Sequence, residues 1–151
     1  MKQVEKFYEA VKSEMAMTLA TCAGGAVTMR LVSPVEYHGD ILIFTEAASN
    51  KYKQLRENPN CCMSVGGFFA QAKAEFFGPT MQNENAAMRE AYDAKFPGAF
   101  AEGMVNGGRN SEFVLFHPVK LSGWMFENDT PTEDGIPNVP FEIVMGEEKQ
   151  A

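Results

Sequence analysis

"ILIFTEAASNKYKQLRENPNCCMSVGGFF", residues 41–69, carries three local signals in succession. Ile41 to Phe44 are a short apolar run of the kind that makes a buried strand. Ser49 follows as an N-cap, and Pro59 marks a stop because it has no N–H to continue a helix. The spacing therefore predicts a helix over 50–57. Beyond it, residues 61–69 read as a second strand, with Gly66 and Gly67 marking a turn or bulge. The helix has its charges reversed. Lys51 and Lys53 stand in the first turn, at the positive end of the dipole, and Glu57 stands in the last. Each such placement costs about 0.3–1 kcal/mol when nothing else is present, and a bound anion would turn the first into an attraction.

Working outward, Val4, Phe7, Tyr8, Val11 and Met15 recur at helical spacing and predict an amphipathic helix over 3–15. "MTLATC" (17–22) and "AVTMRLVSPVEY" (26–37) read as strands joined by the glycine turn at 23–25. "HGD" at 38–40 turns the chain tightly into the strand 41–45. "AQAKAEFFGP" (70–79) is a further strand, and 83–96 a helix with Asn83 as cap and Pro97 as stop. Residues 97–110 are glycine-rich and read as a loop around a short helical turn. "EFVLFHPVKLSGWMF" (112–126) is a long final strand bent near Pro118. Two units follow from this division: a domain over 1–126, and an acidic, proline-containing tail over 127–151. Most of the tail reads as irregular, although "VPFEIVM" could add an edge strand or pack on a partner. Six strands in series with short turns suit a mainly β fold with flanking helices, a small antiparallel barrel or a sandwich.

The 151 residues are 45% hydrophobic and 22% charged, an ordinary globular balance with no bilayer-spanning run. The first residues lack the apolar stretch and cleavage site of a signal peptide. A net charge of −7 disfavours nucleic acid or any other generic polyanion, although a local basic cluster would still hold a small anion. The odd number of cysteines, Cys22, Cys61 and Cys62, suits a reducing compartment, and the chain is read as cytoplasmic.

Conventional catalytic patterns are missing. His38 and His117 have no second ligand at metal spacing, so no metal site is expected. No G-x-S-x-G elbow, phosphate loop or dinucleotide fingerprint is present, and no catalytic residue is assigned. What remains is basic. If the strands flanking the 38–40 turn pair, Arg30 faces the N-terminus of the 50–57 helix. A phosphate there would take hydrogen bonds from Arg30, Lys51, Ser49 and free helix N–H groups. The alternative is that Lys51 and Lys53 point into water, where dipole effects are screened.

"MTLATCAGGAVTMRLVSP" followed by "ILIFTEAASNKYKQLRENPN" resembles the pyridoxamine 5′-phosphate oxidase-related family, close to its general-stress-protein branch. The similarity runs from about residue 5 to residue 126. Its most specific part is the strand ending "FT" with Ser49, Lys51 and "NP" in register, and "HPVKLSGW" supports it. The resemblance implies a six-stranded antiparallel split β-barrel of Greek-key type, a homodimer, and FMN at the dimer interface. Arg30 and Lys51 would bind the FMN phosphate with help from Ser49, and Leu31, Val32 and Ser33 would run beside the flavin. Phe44 and Thr45 would contact the ribityl chain and phosphate. Asn50 stands where many relatives have Arg, which weakens one phosphate contact. Gln71 or Lys73 would reach the ring, and Trp124 would lie near the isoalloxazine from the other subunit. The Arg-x-His substrate motif expected beyond the tryptophan is absent. The implied function is therefore an FMN-dependent oxidoreductase serving a small-molecule donor and acceptor, and not pyridoxamine phosphate oxidation. A flavin carrier, store or stress-linked sensor without turnover is the alternative.

Overall fold

In a computed structural model, which describes residues 2–101 and 110–146, the alternating apolar segments pair into one antiparallel sheet of eight strands. The elements run α1 (Lys2–Ser13), β1 (Met17–Ala23), β2 (Ala26–Val32), β3 (Val35–Tyr37), β4 (Asp40–Glu46), α2 (Asn50–Glu57), β5 (Asn60–Val65), β6 (Phe68–Pro79), α3 (Ala86–Lys95), β7 (Ser111–Met125) and β8 (Val139–Val144). The path across the sheet is β2-β1-β5-β6-β7-β4-β3, and β8 adds to β7. The non-sequential neighbours β1–β5 and β4–β7 are the crossovers of a Greek-key arrangement. Among the described residues no helix is long and apolar enough to cross a membrane.

Alternation sends one set of side chains inward. Met17, Leu19, Ile41, Ile43, Met63, Val114, Phe116 and Leu121 form the main core, closed by Phe7 and Val11 of α1 and by Leu55 of α2. A second cluster lies on the other face of β4 and β7, where Leu42, Phe113 and Leu115 are covered by Met88 and Tyr92 of α3. This split barrel with helices outside is the mainly β class expected.

The strand count rises from six to eight for two local reasons. Residues 26–37 do not form one strand: the ladder with β1 ends at Val32 and the ladder with β4 begins at Val35. Pro34 between them has no N–H to donate, so the chain changes partners there. Residues 139–144 supply β8, paired to Lys120–Met125 of β7. The bend near Pro118 is a bulge. Gln71 pairs with Lys120 and Ala72 with Pro118, leaving Val119 as the extra residue. Asn83 does not cap the third helix. It opens a short 3₁₀ turn over Asn83–Asn85, and Asn85 donates instead to the carbonyls of Phe77 and Pro79. Of the loop expected over 97–110, residues 102–109 lie outside the described residues.

Candidate functional site

Helix α2 begins where sequence places it. Ser49 is the N-cap, its Oγ accepting from the Tyr52 N–H at 3.3 Å and sharing a hydrogen bond with Thr45 Oγ1 at 3.0 Å. That pair fixes the end of β4 to the start of the helix. The first turn holds no acidic residue, so nothing within the helix offsets Lys51. Burial lowers the Lys51 pKa first, and the neighbouring Arg30 charge lowers it further, with Glu46 opposing.

Arg30 arrives by a route different from the one expected. The turn at 38–40 pairs β3 with β4, while β2 pairs with β1, because Pro34 ends the β2 ladder. Arg30 shares the face of Val32 and Thr28 on β2, the face turned toward α2. Its Nη1 donates to Thr21 Oγ1 at 2.7 Å and to the Leu19 carbonyl at 3.3 Å, and its Nη2 approaches Gln54 Oε1 at 3.5 Å. Gln54 lies one turn beyond Lys51 on α2, and its Oε1 also accepts from Thr28 Oγ1 at 2.7 Å and from Thr21. Arg30 therefore meets the second turn of the helix and stands near Lys51 without pointing at the helix end. Burial lowers its pKa as well. Among the described residues neither cation makes an ion pair with a carboxylate. Lys51 at the helix N-terminus, Arg30 nearby and the hydroxyls of Ser49 and Thr45 are suited to a small dianion.

The other expected residues are dispersed. Asn50 is exposed as the first residue of α2, close to the cations. Leu31 points outward, Val32 points into the core, and the Ser33 carbonyl accepts from Tyr92 Oη at 2.7 Å. Thr45 is buried at the site, whereas the Phe44 ring turns away to Tyr92 and Phe100, with centroids 5.0 and 5.2 Å apart. Gln71 and Lys73 project from the outer face of β6, the face opposite Arg30. Gln71 lines a cleft of about 410 Å³ there with Cys22, Val27, Asn60 and Cys62. Lys73 is not among its lining residues. Trp124 is 58% exposed near the other end of β7 from Glu112, the residue that pairs with Thr45. Within one chain it is not brought to Arg30.

The family model for pyridoxamine 5′-phosphate oxidase matches residues 3–117, which includes every residue of the cation cluster. The chain belongs to the pyridoxamine 5′-phosphate oxidase family. Solved structures agree on the fold. A protein related to general stress protein 26, of the pyridoxinephosphate oxidase family, from Clostridium acetobutylicum superposes with a TM-score of 0.67. It is 11% identical, over 97% of this chain and 96% of that one. A heme binding protein from Mycobacterium smegmatis gives 0.68 at 12% identity, over 93% of this chain and 57% of that one. A FAD-binding protein from Mesorhizobium loti gives 0.61 at 14% identity, over 79% and 91%. Comparison with curated proteins gives no match.

Thr21, Thr28 and Gln54 are the site residues that sequence reading misses. Thr21 and Thr28 face each other across the β1–β2 ladder, and Gln54 follows Lys51 by three positions. Those spacings become informative only once the strand partner is known. In this member of the pyridoxamine 5′-phosphate oxidase family, they hold the guanidinium that sequence alone had singled out.

Proposed function

We propose that this chain binds FMN and acts, as a homodimer, as an oxidoreductase that passes a hydride or electrons from a reduced small-molecule donor to a small acceptor. The observation that carries this reading is the pair Arg30 and Lys51. Burial holds each below its usual pKa, and they are close enough for Arg30 to depress Lys51 further. A phosphate ester relieves that repulsion and uses the Ser49 hydroxyl and helix N–H groups as well. FMN supplies the redox chemistry, and the chain supplies binding, orientation and electrostatics.

Haem fits the described residues less well. His38 sits in an exposed turn at φ 52°, and His117 has both ring nitrogens engaged, Nδ1 with Asp40 at 3.1 Å and Nε2 with Glu75 at 2.7 Å. The acidic stretch after Trp124, "MFENDTPTEDG", would repel a phosphorylated substrate, which argues against pyridoxamine phosphate oxidation. Dimerisation is supported by the outer sheet face. Register and alternation put Val27, Met29, Leu31, Phe69, Trp124 and Val144 on it, and the three β2 side chains are 70–72% exposed. Exposed apolar side chains of this kind are suited to burial against a partner. We place the protein in the cytoplasm, where three free thiols persist.

The test begins with the absorption spectrum of the purified protein and a titration with FMN. A preparation that is colourless and takes up no FMN refutes the reading. Mixing holoprotein with NADH or NADPH without oxygen then separates an enzyme from a carrier. Rapid bleaching supports turnover, and inertness toward several donors supports the non-catalytic alternative.

A further inference from the structure

The break between β2 and β3 is held by a different element from the one that carries the cations. Ser33 and Pro34 lie outside both ladders, so their carbonyls need partners elsewhere. Helix α3 provides both. Tyr92 Oη donates to the Ser33 carbonyl at 2.7 Å, and Lys95 Nζ, one turn on, donates to the Pro34 carbonyl at 2.7 Å. The same ammonium donates to the carbonyls of Val11 at 2.7 Å and Glu14 at 2.6 Å, at the C-terminal end of α1. An ammonium has three protons, and all three are committed to main-chain oxygens. Tyr92 is buried and packed by Phe44, Phe96, Phe100 and Phe113, so its hydroxyl has little freedom to leave Ser33.

From this geometry we infer that Tyr92 and Lys95 are positioning residues for the flavin, locking the Ser33–Pro34 backbone at the end of the segment that the family resemblance runs beside the ring. The inference rests on the FMN reading above. Its physical content is specific. Arg30 is fixed by Thr21, Thr28 and Gln54, and beyond Val32 the chain steps out of both ladders for Ser33 and Pro34 before β3 begins at Val35. Without α3, the Ser33–Pro34 link would be held only by the ladders on either side and would be free to shift relative to Arg30. A cofactor anchored by its phosphate at Arg30 and Lys51 would then lose a fixed wall for its ring. A site that binds two ends of one ligand needs both ends held at a constant separation.

Tyr92→Phe tests this, because it keeps the aromatic packing and deletes one oxygen. Lys95→Met removes the second tie, and Lys95→Arg serves as the conservative rescue. Two readouts are taken on the full chain: hydrogen exchange at the amides of Val32, Ser33 and Val35, and FMN titration with the visible absorption spectrum of the bound flavin. The expected result is exchange at least tenfold faster in Tyr92→Phe, FMN affinity about five- to tenfold weaker, and a shifted flavin band, with Lys95→Arg recovering most of what Lys95→Met loses. Unchanged exchange at the three amides overturns the clamp itself. Faster exchange with wild-type FMN affinity and an unaltered spectrum overturns the positioning role and leaves a structural tie. A wild-type chain that takes up no FMN refutes the flavin reading and the positioning role with it, while the exchange rates still report whether the tie exists.

Discussion

Replacing Lys51 by Gln should stabilise the ligand-free protein and weaken FMN binding at the same time. In the folded chain the Lys51 pKa is lowered, by burial first and by Arg30 second, from its ordinary value of 10.5. A lowered cation pKa means the unfolded chain holds the proton more tightly. Stability therefore rises with pH between the folded value and 10.5, and below the folded value the whole penalty is present. Apart from that shift, a cation placed in the first turn of a helix costs about 0.3–1 kcal/mol. For a domain of this size that corresponds to a rise of roughly 1–4 °C in Tm for Lys51→Gln. The ligand term has the opposite sign. Losing a charged hydrogen bond to phosphate costs about 1.5–3 kcal/mol, roughly 10- to 150-fold in Kd. Thermal denaturation with and without FMN, and fluorescence titration of FMN, measure both terms. Lys51→Glu should lose more affinity than Lys51→Gln, since it adds repulsion. Wild-type FMN affinity in Lys51→Gln would refute the reasoning, because the cation would then have no ligand to justify its cost.

Three further outcomes follow from the geometry. A Cβ added at Gly123 would stand 3.0 Å from the Phe141 ring and 3.1 Å from the Gly67 carbonyl, so Gly123→Ala should cost about 1–3 kcal/mol in urea denaturation, and an unchanged midpoint would contradict that packing. The Cys61 thiol is pushed up by burial, and then by Cys62, from 9.0 to about 12. Its contribution to stability is complete below pH 9 and is lost as the pH climbs to about 12. Cys61→Ala should therefore flatten the alkaline limb of the stability curve, and Cys61 should resist iodoacetamide at pH 8 until the chain unfolds. Met29→Glu, on the outer face of β2, should convert a dimer to a monomer in light scattering while leaving the fold intact, and a dimer of undiminished strength would exclude this face as the interface.

How far the sequence carries depends on whether a signal is local. Helix α2 is legible because Ser49 and Pro59 act within a few residues of themselves, and its bounds of 50 and 57 hold in the structure. The same is true of the turns at Gly66–Gly67 and His38–Gly39, where positive φ is required and found. The Ser33–Pro34 break was hidden inside a run whose β-branched and apolar residues read as continuous strand. Proline states that a hydrogen bond is missing but does not say whether the ladder ends or only skips. Arg30 could be named from its type and order, yet its partners could not, since Thr21 and Gln54 reach it through strand pairing and helix packing. Gln71 and Lys73 differ by two positions and share one face, so alternation alone cannot choose between them. The cleft includes Gln71 and excludes Lys73, a fact that required coordinates.

Strand β7 is paired along both of its sides: β6 follows it almost throughout, β4 takes its first half and β8 its second. Removing residues from Val139 onward would uncover the main-chain donors and acceptors of Lys120–Met125 beside an exposed tryptophan. Such a bare rim invites strands from other molecules. The shortened chain should therefore fail by clumping under concentration before it fails by melting.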